Sequence, residues 1–274
     1  MVLLDNNFSS IIVAIENGRL VYDNLKKVIL YLIPAGSWSE LIPILSNFLL
    51  GIPLPLSAFL MIYICVLTDM FPSIAIMFET PESDLLKRPP RRPDQDRLVN
   101  FKLLRHAYLF TGLMETLISH CMFFYYLQEY GNIKVKDILL AFNNWSPEHL
   151  GKTQQELDDL HYTAQCVTFV TLVMLQAFGN LLATRTRRLS VLQHPPWAEP
   201  SRNLWLYGAQ CCSVGLALLA IYLPAFNNIF NTRHVPVQFW FIPIGGALFI
   251  LAADETRKYY CRKFPLGLIS RLAW

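Results

Sequence analysis

Four ionisable residues stand inside otherwise apolar stretches of this 274-residue chain: Glu40, Asp69, Glu115 and His120. An ionisable group at membrane depth is costly unless it serves a site, so each is a candidate for chemistry. Glu40 follows Gly36 and Ser37 by roughly one helical turn, which puts the three on one face. Pro43 lies just beyond Glu40 and Pro72 just beyond Asp69. A proline inside a helix cannot donate to the carbonyl four residues back and pushes that carbonyl off the ladder. The carbonyls of Ser39 and Thr68, each next to a carboxylate, are therefore expected to be loosened. Carboxylates beside freed carbonyls are hard oxygen donors, suited to Na⁺, K⁺ or Ca²⁺. Non-helical backbone at this depth survives only where it is buried in protein or lines a cavity. The competing readings are structural. A membrane proline often only kinks its helix, Glu115 can serve as an interhelical hydrogen-bond partner alone, and His120 can be an interfacial group.

The elements that must position these residues follow from composition. Hydrophobic residues make up 54% of the chain and charged residues 16%, with a mean hydropathy of +0.35. Soluble domains carry about 25% charged residues. From Val28 to Thr68 the only charge is Glu40, a run too long for one crossing of a bilayer core, which needs about 20 helical residues. Gly51-Ile52-Pro53-Leu54-Pro55 divides it into a hairpin, roughly 28–49 and 54–78. Further spans are expected at about 105–127, 162–184, 204–224 and 237–255, giving an all-α polytopic bundle of six transmembrane helices. With the loops at 79–104 and 185–203, one side holds 19 of the 23 Lys and Arg residues, so the positive-inside rule makes both termini cytoplasmic.

Several function classes are excluded or disfavoured. A net charge of +3 with no basic stripe gives no reason to expect nucleic acid as a partner. Continuous apolar runs disfavour a β-barrel, whose strands alternate. The six cysteines form no C-x-x-C pair, and most lie in apolar runs as small hydrophobes. No glycine-rich phosphate loop or nucleophile-and-base arrangement is present, so this chain alone is not expected to hydrolyse ATP. The first residues lack a signal-peptide layout, so the first helices are expected to be internal insertion signals, or the chain a part of something longer.

Eight stretches are similar to one family. Leu4-Asp5-Asn6-Asn7-Phe8-Ser9-Ser10-Ile11, Glu16-Asn17-Gly18-Arg19 and Asp23-Asn24-Leu25-Lys26-Lys27 resemble a stalk entering the membrane. Ile52-Pro53-Leu54-Pro55-Leu56 resembles a hairpin turn, and Thr68-Asp69-Met70-x-Pro72 a helix after it. Glu82-Ser83-Asp84-x-x-Lys87-Arg88-x-Pro90-Arg91-x-Pro93-x-x-Asp96-x-Leu98-Val99-Asn100 resembles the following loop. Thr186-Arg187-Arg188-x-Ser190-Val191 and Asp254-Glu255-x-Arg257-Lys258 match later motifs. In this order they resemble the C-terminal membrane half of P-type cation-transporting ATPases of the sodium/potassium and proton/potassium α-subunit type.

The resemblance implies membrane helices five to ten of a ten-helix pump. It divides the chain into the end of the phosphorylation domain and stalk (1–27), a transmembrane hairpin (28–78), a loop (79–104), a C-terminal membrane domain (105–261) and a tail (262–274). It implies cation ligands at Glu40, Asp69, Ser37, Thr68, Glu115 and Gln176, with Glu40 and Asp69 on the transported alkali ion. It further implies lipid and the upstream catalytic domains as partners, a β-type subunit at 128–161, and a plasma-membrane location. The parent pump would use ATP and Mg²⁺ to move Na⁺ or K⁺. No cofactor is expected in this chain itself.

The sequence departs from the pattern at several points. Cys65, Gly179 and Cys211-Cys212 stand where the family carries acidic residues, and Gly36 is close to the place of the lysine diagnostic of proton/potassium pumps. Arg187-Arg188-Leu189-Ser190 reads as a basic-directed phosphorylation site at Ser190 or as membrane-flanking charge. Two readings of the whole follow: the ion pathway of a pump, or a non-catalytic pump-like protein that regulates or assembles with intact pumps.

Overall fold

The computed structural model describes residues 8–90, 96–140, 142, 145–267, 269–270 and 273–274. Among these, the regular structure is helical with no strand. The first helix, α1 (Phe8–Ile33), runs through a π-turn at Pro34–Trp38 into α2 (Ser39–Leu50). Gly51 ends this rod in the left-handed conformation at φ 59°, its N–H bonded to the Asn47 and Ser46 carbonyls, the usual glycine stop. A Cβ at Gly51 would meet the Phe142 backbone nitrogen at 2.8 Å, so both the turn and its cover require glycine.

Five helices among the described residues are long and apolar enough to cross a membrane: Ala58–Met77, Phe101–Gly131, Gln154–Thr184, Leu204–Tyr222 and Gln238–Lys263. We number them α3 to α7. They match five of the six expected spans. The expected span at 28–49 is not a separate helix: it is the upper part of the rod that begins at Phe8, and Ser39–Leu50 by itself is a shorter apolar helix. Side-chain caps fix several starts. Ser57 accepts from the Leu60 N–H and Asn100 from the Leu103 N–H, while Thr153 and Glu156 form a reciprocal capping box.

Helix α5 is central. Of its apolar stretch 89% is buried, against 39% for α6 and 33% for α7, so α5 is wrapped by protein while α6 and α7 turn large faces outward. The main core joins α3, α4, α5 and α6 through Leu60, Phe123, Phe169, Val170 and Ile221, with Phe239 of α7. Exposed apolar residues such as Ile62, Val66, Leu219, Phe241 and Phe249 suit a hydrocarbon surrounding rather than water. Close helix approach uses small residues: a Cβ on Gly179 would lie 3.1 Å from the Ala247 backbone, the packing device of membrane helices.

Candidate cation site

π-turns stand beside the buried carboxylates Asp69 and Glu115 and the half-buried Glu40. Besides Pro34–Trp38 there are π-turns at Ile64–Thr68 in α3, His106–Gly112 in α4 and Leu175–Asn180 in α5. In the first, the Pro34 carbonyl accepts both the N–H and the hydroxyl of Ser39, the latter at 2.9 Å. In the second, the Ile64 carbonyl accepts the Asp69 N–H at 3.1 Å and the Thr68 hydroxyl at 3.0 Å. Such turns insert a residue into the helix and recur at functional sites. Here they present Glu40, Asp69, Glu115 and Gln176 toward one another.

A continuous polar network results. The Tyr31 hydroxyl donates to Asp69 Oδ1 at 3.4 Å, and the Tyr31 carbonyl accepts from Asn180 Nδ2 at 3.2 Å. Asn180 also donates to Gln176 Oε1 at 3.1 Å, and Gln176 donates to Glu115 Oε2 at 2.8 Å. On the other side of Asp69, the Cys65 thiol donates to Glu40 Oε1 at 3.1 Å. Asp69 feels the charge of Glu40, and Glu115 that of Asp69, so three carboxylates share one electrostatic neighbourhood. Asp69 and Glu115 are about 1% and 0% exposed. Asp69 Oδ2, Glu115 Oε1 and Asn180 Oδ1 have no hydrogen-bond partner. Buried acceptors without donors are costly, and no Lys or Arg salt bridge reaches these carboxylates among the described residues.

Four expected site residues are thus brought together: Glu40, Asp69, Glu115 and Gln176. Thr68 is buried, but its hydroxyl turns back on Ile64. The Thr68 carbonyl, loosened as expected by Pro72, is taken by Ser213 of α6 at 2.6 Å. The Ser37 side chain lies outside the described residues, as do Leu4 to Asn7 and Arg91 to Pro93 of the motifs above. His120 joins helices, with Nε2 3.3 Å from Ser46 Oγ and Nδ1 2.8 Å from the Thr116 carbonyl. Tyr31 and Asn180 were missed by the sequence reading. The signal for Asn180 was its place one turn after Gln176; a tyrosine in an apolar run gives little signal. Among the described residues, no group of three or more His, Cys, Asp and Glu side chains forms a metal cage.

A second ionic cluster lies on the face of the 79–104 loop. Glu79 Oε1 is 2.5 Å from Arg185 Nη2, both fully buried, and Glu79 Oε2 accepts from Asn203 at 3.0 Å. Arg185 also donates to the carbonyls of His194 and Ser201. Lys27 reaches Glu82 at 3.1 Å, and Glu82 accepts the Arg187 N–H at 2.9 Å. Burial alone would raise the Glu82 carboxyl, but Lys27, the Arg187 N–H and Arg88 outweigh it and hold it below its ordinary range. Burial and the Arg185 charge keep His194 below the usual histidine value. Ser190 is 8% exposed and its hydroxyl caps the Leu192 N–H at 3.2 Å, while Arg187 stacks over Trp274. In the 128–161 stretch, the Leu140 and Phe142 N–H groups donate to the Leu50 and Gly51 carbonyls, covering the hairpin turn.

Comparison with known proteins places this arrangement. The family model for the cation-transporting ATPase C-terminus matches residues 53–260. The chain belongs to this family. Sodium/potassium-transporting ATPase subunit alpha-4 of Homo sapiens is 33% identical over 280 residues, covering 99% of the chain and 26% of the relative. Potassium-transporting ATPase alpha chain 2 of Oryctolagus cuniculus is 33% identical over 276 residues, covering 97% and 24%. The chain thus spans about a quarter of the length of these curated relatives.

As a cation-transporting ATPase C-terminus it is a multi-pass membrane protein, and its departures from the family pattern have structural correlates. Cys65 lies against Gly36: a Cβ built there would come 3.1 Å from the Cys65 sulfur, so position 36 has little room for a long side chain. Gly179 is packed on α7 and has no room for a carboxylate. Cys211 and Cys212 are exposed rather than turned into the network.

Proposed function

We propose that this chain is the membrane-embedded cation-translocation part of a P-type pump of the sodium/potassium or proton/potassium kind. One observation carries the reading: carboxylates and amides of α3, α4 and α5 converge on a buried region, with Glu40 of α2 at its edge, where three oxygens have no donor. A desolvated monovalent cation supplies the positive charge and the coordination those oxygens lack. Glu40, Asp69 and Glu115 would be its charged ligands, with Gln176 and Asn180 orienting them. Ser37 and Thr68 remain backbone or hydroxyl candidates at its edge. Fewer carboxylates than the family pattern points to fewer ions per cycle. ATP and Mg²⁺ would act in the phosphorylation and nucleotide domains of the parent pump, to which residues 1–27 lead. Residues 28–78 would be the ion-carrying hairpin, 105–261 its membrane support and 262–274 a tail. Both termini would face the cytoplasm of a plasma membrane, and a β-type subunit would dock on 128–161 from outside.

The test is ion-specific stabilisation. The purified chain is melted in NaCl, KCl or choline chloride at equal ionic strength. A site ligand at 100 times its dissociation constant adds about 2.7 kcal/mol. Na⁺ or K⁺ should raise the midpoint, and Glu115→Gln should remove the rise. Equal midpoints in all three salts would sink the proposal.

A further inference from the structure

On the loop face, a cavity of about 730 Å³ opens between α1, the 79–104 loop, the start of α4 and Arg187-Arg188. Its walls are pinned by the chain itself. Arg19 Nη1 donates to the carbonyls of Leu85 at 3.1 Å and Arg88 at 2.8 Å, which straps the loop to α1. The Tyr22 hydroxyl donates to the Asp96 carbonyl at 2.8 Å. Arg88 pairs with Asp23 and, at 2.7 Å, with Asp84, so these two carboxylates of the lining are already matched.

Positive charge is left over. Arg187, Arg188 and Lys102 also line the cavity, and among the described residues none of the three pairs with a carboxylate. Arg187 is half-buried and stacks over Trp274. Burial, then the charges of Arg88 and Arg188, hold its guanidinium below the ordinary arginine value, and Asp23 and Glu82 act on it less. Three arginines this close repel one another, and an anion placed among them relieves the repulsion. The shape says which anion. The volume lies in the range that encloses an extended small molecule, more than a single phosphate needs. Along α1 the lining runs from Lys26 back to Ile15, about 16 Å of helix leading away from the apolar run that begins at Val28. A phosphate held at a bilayer surface does not fill that height. Guanidinium forks on converging walls suit phosphate oxygens, and each phosphate group brings more charge than a carboxylate.

We infer that this cavity is a binding site for a soluble anion carrying several phosphate groups, held by Arg187 and Arg188 on one wall and Lys102 on another. The anion bridges α1, the 79–104 loop and the segment after α5, and so ties together the elements that the Glu79–Arg185 and Lys27–Glu82 pairs already join. This site is separate from the carboxylates between the helices and does not depend on which cation they take.

The experiment titrates the full chain, in nanodiscs of phosphatidylcholine alone and in choline chloride, with tripolyphosphate by isothermal titration calorimetry. The wild type should bind one tripolyphosphate with a dissociation constant below about 1 mM, and inorganic phosphate more weakly. The double variant Arg188→Gln with Lys102→Gln changes two exposed side chains and leaves the Arg88 pairs in place, so it should fold and should bind about tenfold more weakly. Lys134→Gln with Lys136→Gln removes the same charge from the 128–161 stretch and should bind as the wild type does. No heat with tripolyphosphate at about 10 mM, or equal weakening in the two double variants, would overturn the inference. Tighter binding of a polyglutamate peptide than of tripolyphosphate would overturn it in favour of a protein partner. Displacement of tripolyphosphate by phosphatidylinositol bisphosphate added to the discs would overturn it in favour of a lipid headgroup.

Discussion

The two ionic clusters of this protein use the same residue types and reach opposite states. On the loop face, Glu79 and Glu82 are buried with Arg185 and Lys27 against them, so every carboxylate has a protein cation. Between the helices, Asp69 and Glu115 are buried as deeply, with a phenol and an amide for company and no protein cation at hand. Coulomb attraction in a low-dielectric interior offsets desolvation only when the counter-charge is present. The first cluster is therefore a permanent lock between α1, the 79–104 loop and the 185–203 loop. Under the proposed function, the second is a lock whose cation comes and goes.

That contrast can be broken from the lock side first. Arg185→Met leaves Glu79 buried without its cation, and removing one partner of a buried pair costs about 3–5 kcal/mol. The variant should lose most of its folded yield, and the double variant with Glu79→Met should recover part of it, both read by thermal melting in nanodiscs. Next in size, Asp69→Asn should leave the melting point in choline unchanged or higher, because it removes a buried carboxyl that has no protein cation against it, while losing the response to Na⁺ or K⁺. Had Asp69 been locked like Glu79, the same change would be destabilising in every salt.

A smaller effect is pH-dependent. The Glu82 carboxyl is held below its ordinary value when folded. Its contribution is thus present above the unfolded pKa and lost as pH falls through the depressed folded value. As pH falls from neutral to below the ordinary carboxylate range, about pH 4, amide protection in the 82–90 loop, measured relative to the intrinsic exchange rate at each pH, should hold down to that range and drop beneath it in the wild type. Glu82→Gln should be poorly protected at both ends; a pH-independent wild type would remove Glu82 from the lock. The smallest change is Ser213→Ala. It strips the hydrogen bond from the Thr68 carbonyl, worth about 1 kcal/mol, and frees a hard oxygen next to Asp69, so the ion response should shift more than the stability does.

Much of this was legible in the residues themselves. Gly51 and the two prolines after it announced the hairpin, because a left-handed stop and missing donors leave the chain few alternatives. The carboxylates Glu40, Asp69 and Glu115 stood out because charge is so rare in their surroundings. What Pro72 does to the Thr68 carbonyl was readable too. That Ser213 takes this carbonyl was not, since the partner lies 145 residues away. The Glu79–Arg185 pair hid for the same reason: each sits in a charged loop where flanking charge is an adequate account. The π-turns were invisible because a stretch that is apolar all round has no phase from which a slip of one residue can be read. The rod from Phe8 escaped notice because its lower half is mixed in charge and its upper half apolar, so a composition boundary passed for a helix boundary.

The π-turns also bear on motion. Each carries one residue more than the α-helical register, and a residue of α-helix subtends about 100° of rotation. If the extra residue at Pro34–Trp38 were passed along the rod, Glu40 would swing by about that angle while the helix axis stayed in place. The same holds for Asp69 beyond Ile64–Thr68. The carboxylates thus sit on the few segments of the bundle whose azimuth can change without any helix leaving its neighbours.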